Sequence, residues 1–211
     1  RIAKQLYPKA DITVGGFETT DRRDFFDLAI GNVPFGQYQV NDNAYNKLNF
    51  SIHNYFFAKA LDQVRPGGVV AFVTSRYTMD VKDSTVRRYL AQRAELLGAI
   101  RLPNDAFKKN AGAEVVSDII FLQKRDRPLD IVPEWTQTGQ TEDGFAINRY
   151  FIDHPEMVLG RQESVSTAHG MDYTVNPIEG LKLSDQLHDA VKYIHGTYQE
   201  AELPELGEGE A

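Results

Sequence analysis

Apolar positions follow two alternating rhythms along the chain. Phe26, Leu28, Ala29 and Ile30 form a nearly unbroken apolar run, the pattern of a central strand buried on both faces. From Tyr45 to Val64 the rhythm changes, and Leu48, Ile52, Phe56, Ala60 and Val64 recur at helical spacing, which predicts a helix over that stretch. Pro66-Gly67-Gly68 closes it and turns the chain into a second apolar strand, Val69–Val73. A further helix is predicted over Ser84–Leu97, with Val86, Leu90, Ala94 and Leu97 on one face and Gly98 as its stop. Two more strands follow, "GAIRLP" and "SDIIFLQKR". Before all of these stand a helical remnant, Ile2, Ala3 and Leu6 stopped at Pro8, and a short strand at Asp11–Val14.

Strands alternating with helices predict an α/β fold, a mostly parallel sheet with helices on both faces. The pattern divides the chain into a core over 1–128, an irregular or short-stranded extension over 129–160, and a loop, helix and acidic tail over 161–211. Within the last part, 160–180 reads as loop and Ser184–Ala201 as helix, with Leu187, Val191 and Ile194 on one side. A chain that opens at Arg1 inside a helical pattern is expected to be a fragment, truncated at its N-terminus.

Composition narrows the chemistry. With 211 residues and 42% hydrophobic content the chain can bury a substantial core. It has no cysteine, which excludes disulfides and thiolate metal sites and suits a reducing cytoplasm. No apolar run approaches the roughly 20 residues of a membrane span. The formal charge of -7 argues against a broad non-specific nucleic-acid surface, so any nucleic acid would meet a local patch. The five histidines, at 53, 154, 169, 188 and 195, show no metal-ligand spacing.

The chemistry concentrates in "DLAIGNVPFG", Asp27 to Gly36, where an apolar strand runs straight into a turn. In an open α/β sheet, ligands bind at this carboxyl edge. Gly31 and Gly36 permit close approach of backbone to a ligand. Pro34 pushes Val33 into an extended conformation and lacks an N–H, which frees the Val33 carbonyl from a ladder partner. Asn32 places a side-chain carbonyl beside it. Two acceptors are thus poised for the two hydrogens of one amino group, and Phe35 offers a face for a flat ring. A Gly-Asn-x-Pro string also makes an ordinary turn. The strand before it, the long helix after it and "VRPGGVVAFVTS" beyond favour a site.

This order resembles that of the N6-adenine DNA methyltransferases, whose catalytic motif is Asn/Asp-Pro-Pro-Tyr/Phe and stands here as Asn32-Val33-Pro34-Phe35. The chain is similar, over about residues 1–160, to the methyltransferase region of very large helicase-methyltransferase proteins of phages and conjugative elements. The similarity lies in "RIAKQLYP", "GNVPFG", "FFAKALDQVRPGGVVAFVTS", "LLGAIRLPNDAF" and "SDIIFLQKRDRP". It implies a Rossmann-like S-adenosylmethionine-dependent fold acting on DNA, with a helicase domain in the same parent chain.

Asn32 with the Val33 carbonyl would hold the target amine, Pro34 would shape the turn, and Phe35 would stack on a flipped adenine. On the cofactor side the resemblance points to Phe17 for stacking on the adenine of S-adenosylmethionine, with Glu18 in place of the family's usual acid, which Gly16 displaces, and to Gly31. Val33 replaces the family's first proline, and the glycine-rich cofactor loop belongs upstream of Arg1. Two alternatives share these residues: a protein glutamine N-methyltransferase, and a degenerate fold that serves as a DNA-binding scaffold.

Weaker features have plainer accounts. "GAEVVSD" (112–118) is either a loop near the site or, by preference, a surface hairpin. Arg87, Arg88 and Arg93 read as a solvated helix face, and Lys108, Lys109, Lys124, Arg125 and Arg127 as charges at strand ends, with phosphate contact the alternative. Trp135 is expected to pack a local core, and Thr74 and Ser75, at the end of the Pro-Gly-Gly strand, are candidates for a pocket rim that nothing in the sequence demands.

Overall fold

The computed structural model describes residues 2–36, 38–108, 114–168 and 170–201. Its centre is a four-stranded sheet of β1 (Phe26–Asn32), β2 (Val64–Ser75), β3 (Ala94–Leu102) and β4 (Ser117–Lys124), in the order β1-β2-β4-β3. The helices are α1 (Ile2–Leu6), α2 (Ile52–Gln63), α3 (Tyr77–Asp80), α4 (Thr85–Arg93), α5 (Arg149–Asp153) and α6 (Leu183–Ala190). Two small sheets complete the fold: β5 (Thr138–Gln140) with β6 (Ala146–Asn148), and the hairpin of β7 (Arg161–Thr167) with β8 (Gly170–Asn176).

The α/β class holds, but the expected mostly parallel sheet is corrected to a mixed one. β1 runs parallel to β2, whereas β4 is antiparallel to both β2 and β3. A parallel pair needs a crossover, which α2 supplies between β1 and β2. After β3 the chain turns back at Pro103 and re-enters as β4 beside the strand it has just left.

β1 was expected to be central and buried on both faces, and it is instead an edge strand. Among the described residues it pairs with β2 alone, and Phe26, Leu28 and Ile30 are 40%, 53% and 75% exposed. Its apolar run records a strand built for cover, which the rest of the described chain does not provide. Gly68 sets how closely β1 and β2 can approach: a β-carbon there would lie 3.1 Å from the carbonyl oxygens of Phe26 and Asp27. Gly67 beside it has a φ of 76°, the left-handed region that favours glycine.

Element boundaries shift for local reasons. α2 begins at Ile52 rather than near Tyr45, because Asn49 takes a left-handed φ of 54° and closes a 3-10 turn at Asn46–Leu48. α4 ends at Arg93, and Ala94–Leu97 join β3. The strand expected at Asp11–Val14 does not form. The segment expected as loop after 160 is the β7–β8 hairpin, paired from Arg161↔Asn176 to Thr167↔Gly170. α6 stops at Ala190, followed by a 3-10 turn at Val191–Tyr193, and the chain then extends to lay Ile194 over Gly98.

The core lies between the sheet and α2, α4 and α5, around Phe57, Leu61, Phe72, Leu90, Ile120 and Phe151. Each such side chain contributes about 1.5–3 kcal/mol on burial. Arg87, expected on a solvated face, is wholly buried, with Nε donating to the Thr136 carbonyl at 2.8 Å and Nη1 to that of Thr78 at 3.3 Å. It thereby fastens α4 to the segment before β5. Trp135 packs against the core as expected.

A second cluster of Tyr45, Phe50, Tyr55 and Ala58 docks the chain between β1 and α2. Its hub is Asp42, whose Oδ2 accepts from Lys59 Nζ at 2.7 Å and from Tyr55 Oη at 2.8 Å. Burial works to raise the Asp42 carboxyl, but these bonds and one from the Ala44 N–H outweigh it and hold it below the ordinary carboxylate range. A carboxyl depressed in the folded state stabilises above its unfolded pKa and ceases to do so as pH falls through the folded value. Acid is therefore expected to loosen 38–50 at a pH below about 4, seen as a loss of tyrosine near-ultraviolet dichroism. Asp42→Asn should lack that acid step; an unchanged acid transition would refute the assignment.

Candidate active-site cleft

The strand-to-turn segment stands at the carboxyl end of β1, as its sequence requires. Asn32 is exposed there and sits in register with Val73 of β2. The Val33 side chain is buried and its N–H donates to the Val73 carbonyl at 3.1 Å. Among the described residues no backbone N–H reaches the Val33 carbonyl, consistent with the proline that follows. Phe35 is 40% exposed.

Phe35 and Gly36 open onto a cleft of about 610 Å³. Other parts of the chain wall it: the start of α2 at Ser51, His53 and Asn54, the β2–α4 stretch, and the cleft-facing side of the β7–β8 hairpin. Glu114–Val116 contribute as well, so "GAEVVSD" is a loop at the site at its described end rather than a surface hairpin. Ser75 lines the cleft, while Thr74 is buried against Thr78 at 3.0 Å. Asn32 lies outside this lining.

The proposed cofactor residues occupy another region. Phe17 is partly buried and stacks on Phe56, with centroids 4.7 Å apart and 28° between planes. The Glu18 carbonyl accepts from Lys59 Nζ at 3.1 Å, and its carboxylate folds over Gly16, where a β-carbon would meet Oε1 at 2.0 Å. Gly16 is thus the space into which Glu18 turns. Glu18 borders a separate hollow of about 180 Å³ shared with Asp42 and Lys59, and the structure does not bring Phe17 or Glu18 into the cleft with Phe35. Gly31 is not demanded by crowding, since a β-carbon there would lie 3.7 Å from Phe72, an ordinary contact. At Gly36 a β-carbon would come within 2.5 Å of the exposed Tyr38 ring, so a side chain there would require that ring to move.

Beneath the cleft runs a buried ionic network absent from the sequence expectations. Arg101, fully buried, meets Asp118 through Nε and Nη2, both at 2.8 Å, and Asp80 through Nη1 and Nη2, both at 2.9 Å. Burial opposes the Arg101 charge, but the two carboxylates outweigh it and raise its pKa well above the ordinary value. Asp80 also accepts from the Asn148 N–H at 2.9 Å and pairs with Arg76 at 3.3 Å. Arg76 reaches on to Asp172 of β8 at 2.8 Å, so the network ties the core to the hairpin wall. His53 is buried beside the cleft, and desolvation lowers its pKa, leaving the imidazole neutral at pH 7. Tyr77, Arg76 and His53 escaped the sequence expectations because none belongs to a periodic pattern or a motif.

Among the described residues no cluster of acidic or histidine side chains could hold a metal ion, and no helix is long and apolar enough to cross a membrane. The basic residues expected at strand ends are partly engaged: Lys124 pairs with Asp24 at 2.6 Å and Lys108 with Glu114.

Comparison with known proteins shows what the chain is similar to. Residues 7–107 match the family model of the Eco57I restriction-modification methylase. Over 133 residues the chain is 31% identical to the Defense against restriction protein B of Escherichia phage P1, which covers 59% of this chain and 6% of that protein. Among solved structures it is similar to a protein from Listeria monocytogenes described as a class I S-adenosylmethionine-dependent methyltransferase, with a TM-score of 0.42 and 22% identity over 55% of this chain and 36% of that one. It is also similar to the M protein of the type I restriction enzyme EcoKI, with a TM-score of 0.39 and 19% identity over 49% of this chain and 23% of the other.

Proposed function

We propose, from the match of residues 7–107 to the family model of the Eco57I restriction-modification methylase, that this chain belongs to a DNA methyltransferase acting on the exocyclic amine of adenine. The observation that carries the proposal is the end of β1: an exposed Asn32, a Val33 carbonyl free of backbone partners, and a half-exposed Phe35 at the mouth of a nucleotide-sized cleft. The aromatic amine of adenine is a poor nucleophile because its lone pair is delocalised into the ring. Accepting both of its hydrogens, one at Asn32 and one at Val33, favours a more tetrahedral nitrogen and aims the lone pair out of the ring plane. Phe35 holds the ring flat during this change, and the target base reaches it by flipping out of the duplex.

Phe17 and Glu18 suit the adenine end of S-adenosylmethionine, since they combine a phenyl face with a carboxylate turned into the space that Gly16 leaves. When bound, S-adenosylmethionine would supply an electrophilic sulfonium methyl group. The chain spans only a small part of its phage relative. A helicase domain in the same parent protein and a cytoplasmic setting are parts of the proposal on the strength of the sequence resemblance.

Labelled methyl transfer tests it. Label is expected in adenine of DNA, recovered as N6-methyladenine after nucleolytic digestion. Label on glutamine of protein, or none at all under conditions where DNA is bound, would overturn it in favour of the glutamine or scaffold alternative. Phe35→Ala is expected to weaken binding of a flipped or unpaired adenine by about 1–3 kcal/mol, measured by titration, with Phe35→Tyr retaining most of the affinity.

A further inference from the structure

We infer that Tyr77 is a second stacking surface for the target base, and that the acidic rim of the same cleft admits a neutral ring while keeping a phosphate out. The inference rests on the base-binding role proposed for Phe35 and deepens it. Tyr77 opens α3 two residues past the end of β2, lines the cleft that Phe35 opens onto, and is 51% exposed. One face of its ring is already occupied. The Arg76 guanidinium lies 4.3 Å from the ring centroid, and Arg76 Nη2 donates to Tyr77 Oη at 3.2 Å. Arg76 is itself fixed by Asp80 and Asp172, and Asp80 by the buried Arg101. The orientation of the phenol is therefore set from the core, which leaves an ordered aromatic surface without the entropy cost of fixing it on binding.

The rest of the lining points to the same kind of ligand. Phe35, Tyr77, Val81, Val115 and Val165 all border this cleft and are each 40–51% exposed, so an apolar surface awaits cover around its rim. Among the described residues its charged lining is Asp83, Glu114, Asp172 and Arg76; Arg76 is already paired with Asp80 and Asp172, and Glu114 with Lys108 outside the lining, which leaves Asp83 as the carboxylate without a cation. No lysine is among the described residues that line it. Such a wall offers a planar neutral ring apolar contact, while among the described lining residues a phosphate finds no unpaired cation and meets the carboxylate of Asp83. The sugar-phosphate backbone would then stay at the mouth while the base enters.

The probes are 2-aminopurine deoxyriboside and its 5′-monophosphate, fluorescent analogues of the target whose emission is quenched by aromatic stacking. The protein is expected to quench the nucleoside and to bind it more tightly than the monophosphate. Tyr77→Ala should weaken nucleoside binding about 5- to 150-fold and lose part of the quench, while Tyr77→Phe restores both. Asp83→Asn combined with Glu114→Gln should narrow the gap between nucleoside and monophosphate. Unchanged quenching in Tyr77→Ala with an unaltered near-ultraviolet spectrum, or a monophosphate bound as tightly as the nucleoside by the natural protein, would overturn the inference. Its failure is separable from that of the adenine assignment: methyl transfer to DNA would continue while Tyr77→Ala behaved as the natural protein. Quenching that depends on Tyr77 in a protein that methylates no DNA would leave the inference standing and remove the assignment.

Discussion

Replacing Asn32 with alanine is expected to reduce methyl transfer by roughly 10²–10³-fold, the usual cost of deleting one hydrogen-bonding group that acts at the reacting centre. The side chain is exposed at the strand end and carries no packing duty there, so the melting transition should stay where it is. Loss of activity without loss of fold is the signature of a group that touches substrate. Asn32→Asp keeps an acceptor in place and should recover a measurable part of the rate. The decisive comparison is kcat, with DNA binding measured separately. An alanine variant that retained its rate within about threefold would mean that the amine is held elsewhere, and the role of the Val33 carbonyl would go with it.

The largest effect on stability is expected at Arg101. Truncation to alanine leaves the carboxylates of Asp118 and Asp80 buried without their main cation, and breaking a buried pair in this way costs about 3–5 kcal/mol. For a chain of this size that corresponds to a fall in Tm of about 6–20 °C. The deficit should depend on pH in a defined sense. Without the guanidinium, burial raises the folded-state pKa of the Asp118 carboxyl above the unfolded value. The folded variant then binds more protons, and its stability falls as pH rises. Melts at pH 5 should therefore narrow the gap to the natural protein, and melts at pH 8 should widen it. A variant that melts within about 1 kcal/mol of the natural protein at both pH values would show that the network is dispensable.

Much of the fold could be read from the sequence because its signals are local. The apolar runs of β1, β2 and β4 and the four-residue rhythm of α2 each occupy one continuous stretch, and each produced an element close to the expected place. The misreadings came from information held at long range. Periodicity cannot report how many neighbours a strand has, so the run at Phe26–Ile30 announced burial that β2 alone does not supply. A charged residue on a helix reads as solvated, and Arg87 is buried because carbonyls of Thr136 and Thr78 come to meet it from elsewhere in the chain. The β7–β8 segment carries few apolar residues, and its strands are held by pairing with each other and by Tyr173, Thr174 and Val175 at their base.

The candidate site divides in the same way. Asn32, Val33, Pro34 and Phe35 are one motif and were legible at once. Arg76 with its neighbour Tyr77, and Asp172, reach the same cleft from two separate parts of the chain, and Arg76 and Asp172 meet through an ion pair spanning 96 positions. A lone tyrosine after a strand gives no pattern to find. Only the carboxylate behind the arginine behind the ring distinguishes it.

The margin of β1 that stands unpaired among the described residues has a practical side. A strand of seven residues that shows an open row of amide and carbonyl groups, with Leu28 and Ile30 turned to water, is a template on which another extended segment can grow. Concentrated preparations of the isolated chain would thus be drawn toward edge-to-edge association, and a single lysine at position 30 is the natural gatekeeper against it.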